Sequence, residues 1–129
     1  MFYTAYLLAS SSAAAHRPLA FVWNGGPGGD SRLLQFHALA PRTLHGGEFA
    51  DNGASPLDAA DLVFIDPVGT GFSRAADPNT ASQFYGTTED IAATAQVIRT
   101  YVAEQGRAPS PLYLAVSYTH LTLPTNREV

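Results

Sequence analysis

Apolar positions in this chain come in short bursts between glycine-rich or polar stretches, and their spacing switches between the strand period and the helix period. Phe2-Tyr3-Thr4-Ala5-Tyr6 is aromatic and β-branched in character and predicts a strand over Phe2–Leu8. A loop of small residues, Ala9–Arg17, leads to a second predicted strand, Leu19–Trp23. Asn24-Gly25-Gly26-Pro27-Gly28-Gly29-Asp30 suits no regular element and reads as a loop at that strand's carboxyl end. Leu33, Leu34, Phe36 and Leu39 predict a short helix closed by Pro41, and residues 42–58, with Gly46, Gly47, Gly53 and Pro56, an irregular surface excursion. Leu62-Val63-Phe64-Ile65 is a compact apolar run of the kind buried on both faces of a sheet; it stops at Asp66-Pro67 and passes into a second glycine loop, Gly69-Thr70-Gly71-Phe72-Ser73. The clearest helix follows, with Thr87 as cap, Glu89 and Asp90 in the first turn, Ile91, Ala95, Ile98 and Val102 at helical spacing, and Gly106 at its end. Pro111-Leu112-Tyr113-Leu114-Ala115 starts a last strand. Strands alternating with helices and glycine loops predict an α/β fold: a mostly parallel sheet with covering helices.

Composition narrows the function classes. With 129 residues, 46% hydrophobic and 14% charged, the chain has the content of one globular domain or part of a larger one. Its formal net charge of −4 and the absence of a basic stripe argue against nucleic acid or an anionic membrane as partner. No apolar run approaches the ~18 residues of a membrane span. The lack of cysteine excludes disulfides, thiol nucleophiles and thiolate metal sites, and leaves the compartment open. A signal peptide is the alternative reading of the N-terminus, since an apolar stretch runs into Ala13-Ala14-Ala15, but it lacks a positively charged start.

The chemistry is concentrated in the two glycine loops, because open α/β sheets place ligands at the carboxyl ends of their strands. Gly25 and Gly26 let backbone N–H groups approach an oxygen atom with no Cβ in the way, and Pro27 stiffens the turn. The Asn24 amide can donate to a carboxylate or hold the loop. Such a device suits an oxyanion hole, where fixed donors meet charge developing in a tetrahedral intermediate. The plainer reading is a tight turn. Neither phosphate-loop pattern is present, and the chain has no lysine. The second loop reads as architectural, with Asp66 bonding to nearby backbone N–H groups; a catalytic Asp66 or a nucleophilic Ser73 is the weaker alternative. His16 and His45 fall in expected surface loops, His37 on the short helix, and no His/Asp/Glu spacing resembles a metal site.

Two blocks then carry a resemblance. Phe21-Val22-Trp23-Asn24-Gly25-Gly26-Pro27-Gly28 resembles the signature of the serine carboxypeptidases, the S10 peptidases, and Asp61–Arg74 resembles that family's second block in its bacterial form. Thr87-Thr88-Glu89-Asp90-Ile91-Ala92 and Pro111–Ala115 are similar to the helix and strand that precede its nucleophile. The resemblance spans roughly residues 2–115, in order. It implies an α/β-hydrolase fold with a triad in the chain order Ser, Asp, His, no cofactor, and the C-termini of peptides or proteins as substrate. By position it implies that Gly26 gives an N–H to the oxyanion hole and that Asn24 and Gly25 bind the substrate's α-carboxylate. An acidic residue just before the nucleophile would complete that site and favour acidic pH. Gly29-Asp30-Ser31 departs from the Cys-Ser-Ser or Ser-Ser-Ser of many members, removing a disulfide seen in eukaryotic ones. Family habit favours an exported or otherwise extracytoplasmic parent.

Beyond Ala115 the resemblance stops. An elbow of the form G-x-S-x-G around Ser117 would need glycine at 115 and 119, where Ala115 and Thr119 stand, and Val116 occupies the acidic position. His120 follows too closely to serve as the base. Ser117–Thr125 instead resembles the translation of a sequencing-library adapter, the plainer alternative being a genuine amphipathic tail strand. The expectation is therefore residues 1–115 as the N-terminal part of a truncated α/β-hydrolase domain and residues 116–129 as a non-native tail. Such a chain should be inactive for want of nucleophile, Asp and His. A proline-releasing aminopeptidase of the same fold is the nearest rival, disfavoured because Asp66-Pro67-Val68-Gly69 stands where Asp-Gln-Arg-Gly is expected. A non-enzymatic module binding carboxylates or peptides is the rival of another class.

Overall fold

The computed structural model describes residues 1–9, 14–25 and 28–117. Six strands and two helices are labelled in chain order: β1 (Tyr3–Tyr6), β2 (Leu19–Asn24), α1 (Arg32–Leu34), β3 (Arg42–His45), β4 (Glu48–Asp51), β5 (Asp61–Ile65), α2 (Thr87–Glu104) and β6 (Leu112–Ser117). α1 runs on into a wider turn over Gln35–Leu39. The main sheet has the order β1-β5-β2-β6. β5, β2 and β6 are parallel, as the alternation of elements predicts, whereas β1 lies antiparallel to β5, with Tyr3 opposite Ile65. The sheet is therefore mixed. The aromatic and β-branched character of β1 marks it as a strand and carries no information about direction.

Both faces of the central strands are covered. Leu19, Phe21, Val63 and Ile65 point to one side, where α2 closes over them with Tyr101 and flanking Val97, Ile98 and Val102. The Tyr101 ring meets Phe21 edge-on at 5.7 Å between centroids. Val22, Leu62 and Phe64 point to the other side, under Ala40, Leu34, Leu39 and Leu57. This explains the continuous apolar run of β5, every residue of which is buried.

Three local features differ from the sequence reading. Residues 42–51 form a hairpin, not an irregular excursion: β3 and β4 pair antiparallel across Gly46 and Gly47, with φ of 59° and 90°. Two successive positive φ values match the right-handed twist of the strands they join, and two glycines supply them without steric cost. The strand from Phe2 to Leu8 is trimmed to Tyr3–Tyr6. α2 is capped one residue early, by Gly86 in an extended conformation with no side-chain cap from Thr87; a Cβ on Gly86 would overlap the Glu89 carboxylate folded back over the first turn.

At the amino ends of β2, β5 and β6 sits a buried ionic cluster that periodicity does not reveal. Asp61 accepts from Arg17 Nε at 3.0 Å, from Arg107 Nη1 at 2.8 Å and from the Leu8 N–H at 3.1 Å. Arg107 also donates to Ser110 Oγ and to the Arg17 carbonyl. The cluster closes the end of the sheet opposite the glycine loops.

Candidate functional site

The carboxyl ends of β5, β2 and β6 lie side by side, because the register pairs Val22 with Phe64 on one flank and Asn24 with Ser117 on the other. Both glycine loops leave this edge. Asn24 is the last residue of β2, and the Gly25 N–H donates to the Ser117 carbonyl at 2.6 Å. That donor is committed to the sheet, so what Gly25 offers a ligand in this arrangement is the absence of a side chain. Gly26, the expected oxyanion donor, lies outside the described residues, as do Pro27 and His120.

The loop returns through Gly28, at φ 106°, and Gly29. A Cβ built on Gly29 would sit 2.6 Å from the Gly25 carbonyl oxygen and 2.9 Å from the Asn24 side-chain nitrogen. The departure from Cys or Ser at this position therefore has a steric counterpart, since the Asn24 amide occupies the space. Asp30 pairs with Arg32 at 2.6 Å at the surface, and that hydrogen bond holds its carboxyl below the usual range. Ser31 is buried. Its N–H donates to Asp66 Oδ1 at 2.9 Å, and its hydroxyl donates to the Ile65 carbonyl. Asp66 Oδ2 accepts from the Phe72 N–H at 3.1 Å. Ser73 Oγ donates to the Asp66 carbonyl at 2.6 Å and accepts from the Phe2 N–H at 2.7 Å. Asp66 and Ser73 are thus tied to backbone, as the architectural reading anticipates, and neither is presented as an acid or a nucleophile.

Ser117 is exposed at the end of β6, beside a cavity of about 750 Å³ that also touches Trp23, Asp90, Thr94, Ile98 and Val116. Burial pushes the Asp90 carboxyl upward, and the Thr94 hydroxyl, 3% exposed as a residue, has no hydrogen-bond partner among the described residues. None of the described residues lining it is a histidine. His16, His37 and His45 are all exposed, His45 touching Thr43 Oγ1 at 3.0 Å. Among the described residues no group of three or more His, Cys, Asp or Glu side chains could hold a metal ion, and no helix is long and apolar enough to cross a membrane. The strand-end adjacency of Asn24-Gly25 and Ser117 and the Ser31–Asp66 bond were not legible in the sequence. Only the glycines and the buried Asp after an apolar run hinted at them.

Comparison with known proteins supplies two findings. The family model described as serine carboxypeptidase matches residues 1–117. The pheromone-processing carboxypeptidase KEX1 of Verticillium alfalfae is 39% identical over 61 residues, which is 46% of this chain and 10% of that relative. The matched stretch therefore covers about a tenth of that relative's length.

Proposed function

Because the chain belongs to the serine carboxypeptidase family, matching it over residues 1–117, we propose that it carries the oxyanion and carboxylate-recognition part of a carboxypeptidase site on an α/β-hydrolase-type fold. Its substrates are the C-termini of peptides or proteins, and the parent reaction runs through an acyl-enzyme. Gly29-Asp30-Ser31, without the cysteine of eukaryotic members, supports the bacterial-type reading.

The observation that carries the proposal is the parallel register of β2 and β6, with Val22 opposite Ala115, which sets the glycine loop that follows β2 beside the carboxyl end of β6. A nucleophile delivered at the end of that strand would face the loop. The backbone N–H of Gly26 would then receive the oxyanion as the serine adds to the terminal peptide carbonyl. The Asn24 amide would donate to the substrate's α-carboxylate, and glycine at 25 keeps its approach open. The terminal amino acid leaves, and water releases the acyl group in the second half.

Ser117 is not assigned the nucleophile's role. It is flanked by Ala115 and Thr119, and it lies in strand conformation with no histidine among the described residues that line the neighbouring cavity. Loss of a triad serine costs about six orders of magnitude in kcat, so the 129-residue chain binds without turnover. We read the residues after Ala115 as foreign to this domain, although β6 itself runs two residues further, to Ser117.

The test is a titration of the 129-residue chain with N-acetylphenylalanine and with its C-terminal amide, alongside a hydrolysis assay on a blocked dipeptide. Selective binding of the free carboxylate with no hydrolysis is expected. Equal binding of the amide, or binding of neither, overturns the reading. A requirement for a free N-terminal proline would point to the aminopeptidase instead.

A further inference from the structure

The Asp66 side chain is 5% exposed and, among the described residues, both its oxygens accept only from backbone N–H groups, those of Ser31 and Phe72. These donors belong to different loops: Ser31 ends the return leg of the glycine loop after β2, and Phe72 lies in the loop after β5. The Ser31 hydroxyl adds a second bond, to the carbonyl of Ile65 on the strand that carries Asp66. Ser31 is therefore stapled at two points to the carboxyl end of β5, and it is 1% exposed. Two residues before it, Gly29 lies against the Asn24 amide and the Gly25 carbonyl with no room for a Cβ. Moving Ser31 moves Gly29, and Gly29 is the surface against which Asn24 is set.

We propose that Asp66 is a positioning residue for the glycine loop: through Ser31 it fixes the return leg and hence the placement of the Asn24 amide. Gly71 fits the same device, since at φ 47° a Cβ there would overlap the Asp66 carboxylate. The inference rests on the reading of this loop as a carboxylate and oxyanion site. It adds a residue from the second loop that makes no contact with ligand.

The experiment uses the 129-residue chain with ¹⁵N labelling and reads amide hydrogen exchange at Ser31 and Phe72, whose N–H groups donate to Asp66, and the amide chemical shifts of Gly28 and Gly29, followed by titration with N-acetylphenylalanine. Asp66→Ala should speed exchange at Ser31 about tenfold, the scale of one lost buried hydrogen bond, displace the Gly28 and Gly29 resonances, and weaken ligand binding by a similar factor. Asp66→Asn retains an oxygen acceptor for Ser31 and should restore Ser31 exchange, the Gly28 and Gly29 resonances and ligand binding while leaving the Phe72 amide fast. Ser73→Ala loses the neighbouring bonds to Asp66 and Phe2 without touching the carboxylate, and so reports simple loss of stability. If Asp66→Ala and Ser73→Ala displace the Gly28 and Gly29 resonances equally, or if Asp66→Asn rescues nothing, the positioning role is overturned. Should Asp66→Ala fail to fold, the Asp66→Asn and Ser73→Ala comparison alone decides: Gly28 and Gly29 at their wild-type resonances with Phe72 fast supports the role, and equal displacement in the two variants overturns it. Neither readout needs ligand. Wild-type chain that ignores the free carboxylate defeats the site reading, whereas unchanged Gly28 and Gly29 resonances in Asp66→Ala defeat the strut.

Discussion

Arg107 Nη1 donates to Asp61 Oδ2 at 2.8 Å across 46 positions of sequence, and both side chains are almost wholly withdrawn from solvent. Arg17 and the Leu8 N–H take the other carboxylate oxygen, so one acidic residue joins the N-terminal segment, the entry to β2, the start of β5 and the turn after α2. A buried pair of this kind contributes little relative to an apolar replacement, but removing one partner strands the others. Asp61→Ala leaves the buried Arg107 and the half-buried Arg17 guanidiniums without their shared carboxylate and should lower unfolding free energy by about 3 kcal/mol, measured by urea denaturation at pH 7.

The same cluster gives the fold an acid limit. Burial pushes the Asp61 carboxyl upward, but the Leu8 N–H and the Arg107 and Arg17 guanidiniums outweigh it, and the net shift is downward. A carboxyl depressed in the folded chain contributes stability that is present above its unfolded value of about 3.9 and is lost as pH falls through the lower folded value. The stability difference between wild type and Asp61→Asn should therefore be constant near neutrality and shrink below about pH 4. A series of denaturation curves from pH 7 to pH 2 checks it.

Asp90 should behave in the opposite sense. Burial alone raises its carboxyl, so its folded form favours the proton, and the associated stability is present at low pH and lost as pH rises through the folded value. Asp90→Asn removes that loss, opposed by the ~0.3–1 kcal/mol that a negative charge gains in the first turn of a helix. The thermal midpoint of Asp90→Asn minus that of wild type should become more positive between pH 3 and pH 7.

Two glycines with similar positive φ separate conformational cost from overlap. Gly46 has φ 59° and open space around a built Cβ, whereas a Cβ on Gly71, at φ 47°, meets the Asp66 carboxylate. Gly46→Ala should cost about 1 kcal/mol and Gly71→Ala about 3 kcal/mol. Equal losses by urea denaturation would contradict the crowded geometry at Asp66.

Among the described residues β6 is an edge strand without a charged residue, and Leu112, Tyr113 and Leu114 are 47%, 58% and 63% exposed. Unprotected edges of this kind pair with other chains. Leu114→Lys should reduce self-association of the 129-residue chain, read by sedimentation velocity as a shift from large species toward monomer.

Much of this was legible from local pattern. The apolar run Leu62–Ile65 fitted a strand buried on both faces, the spacing from Thr87 to Gly106 marked the clearest helix, and glycine loops following two strands marked the ligand edge of an α/β sheet. The paired blocks around Asn24-Gly25 and Asp66-Pro67 identified the family, and the model match over residues 1–117 agrees. Even the backbone-bonded Asp66 follows from an acid placed between a buried strand and a glycine turn.

What the tertiary structure decided are the relations between distant segments. The strand propensity of β1 is the same in either direction, and its antiparallel pairing emerges only when it docks beside β5. The Gly46-Gly47 turn became a hairpin because β3 and β4 found each other in register, and the cap of α2 fell on Gly86, where the Glu89 carboxylate lies in the space a Cβ would take. Asp61 with its two arginines, and the Gly25 N–H held by Ser117, are contacts across tens of residues. Backbone propensity and side-chain periodicity act over a few neighbouring residues, so they specify which segments become strands and helices. Which strand lies beside which, and which donors the sheet uses before a ligand can, are set by burying those elements against one another.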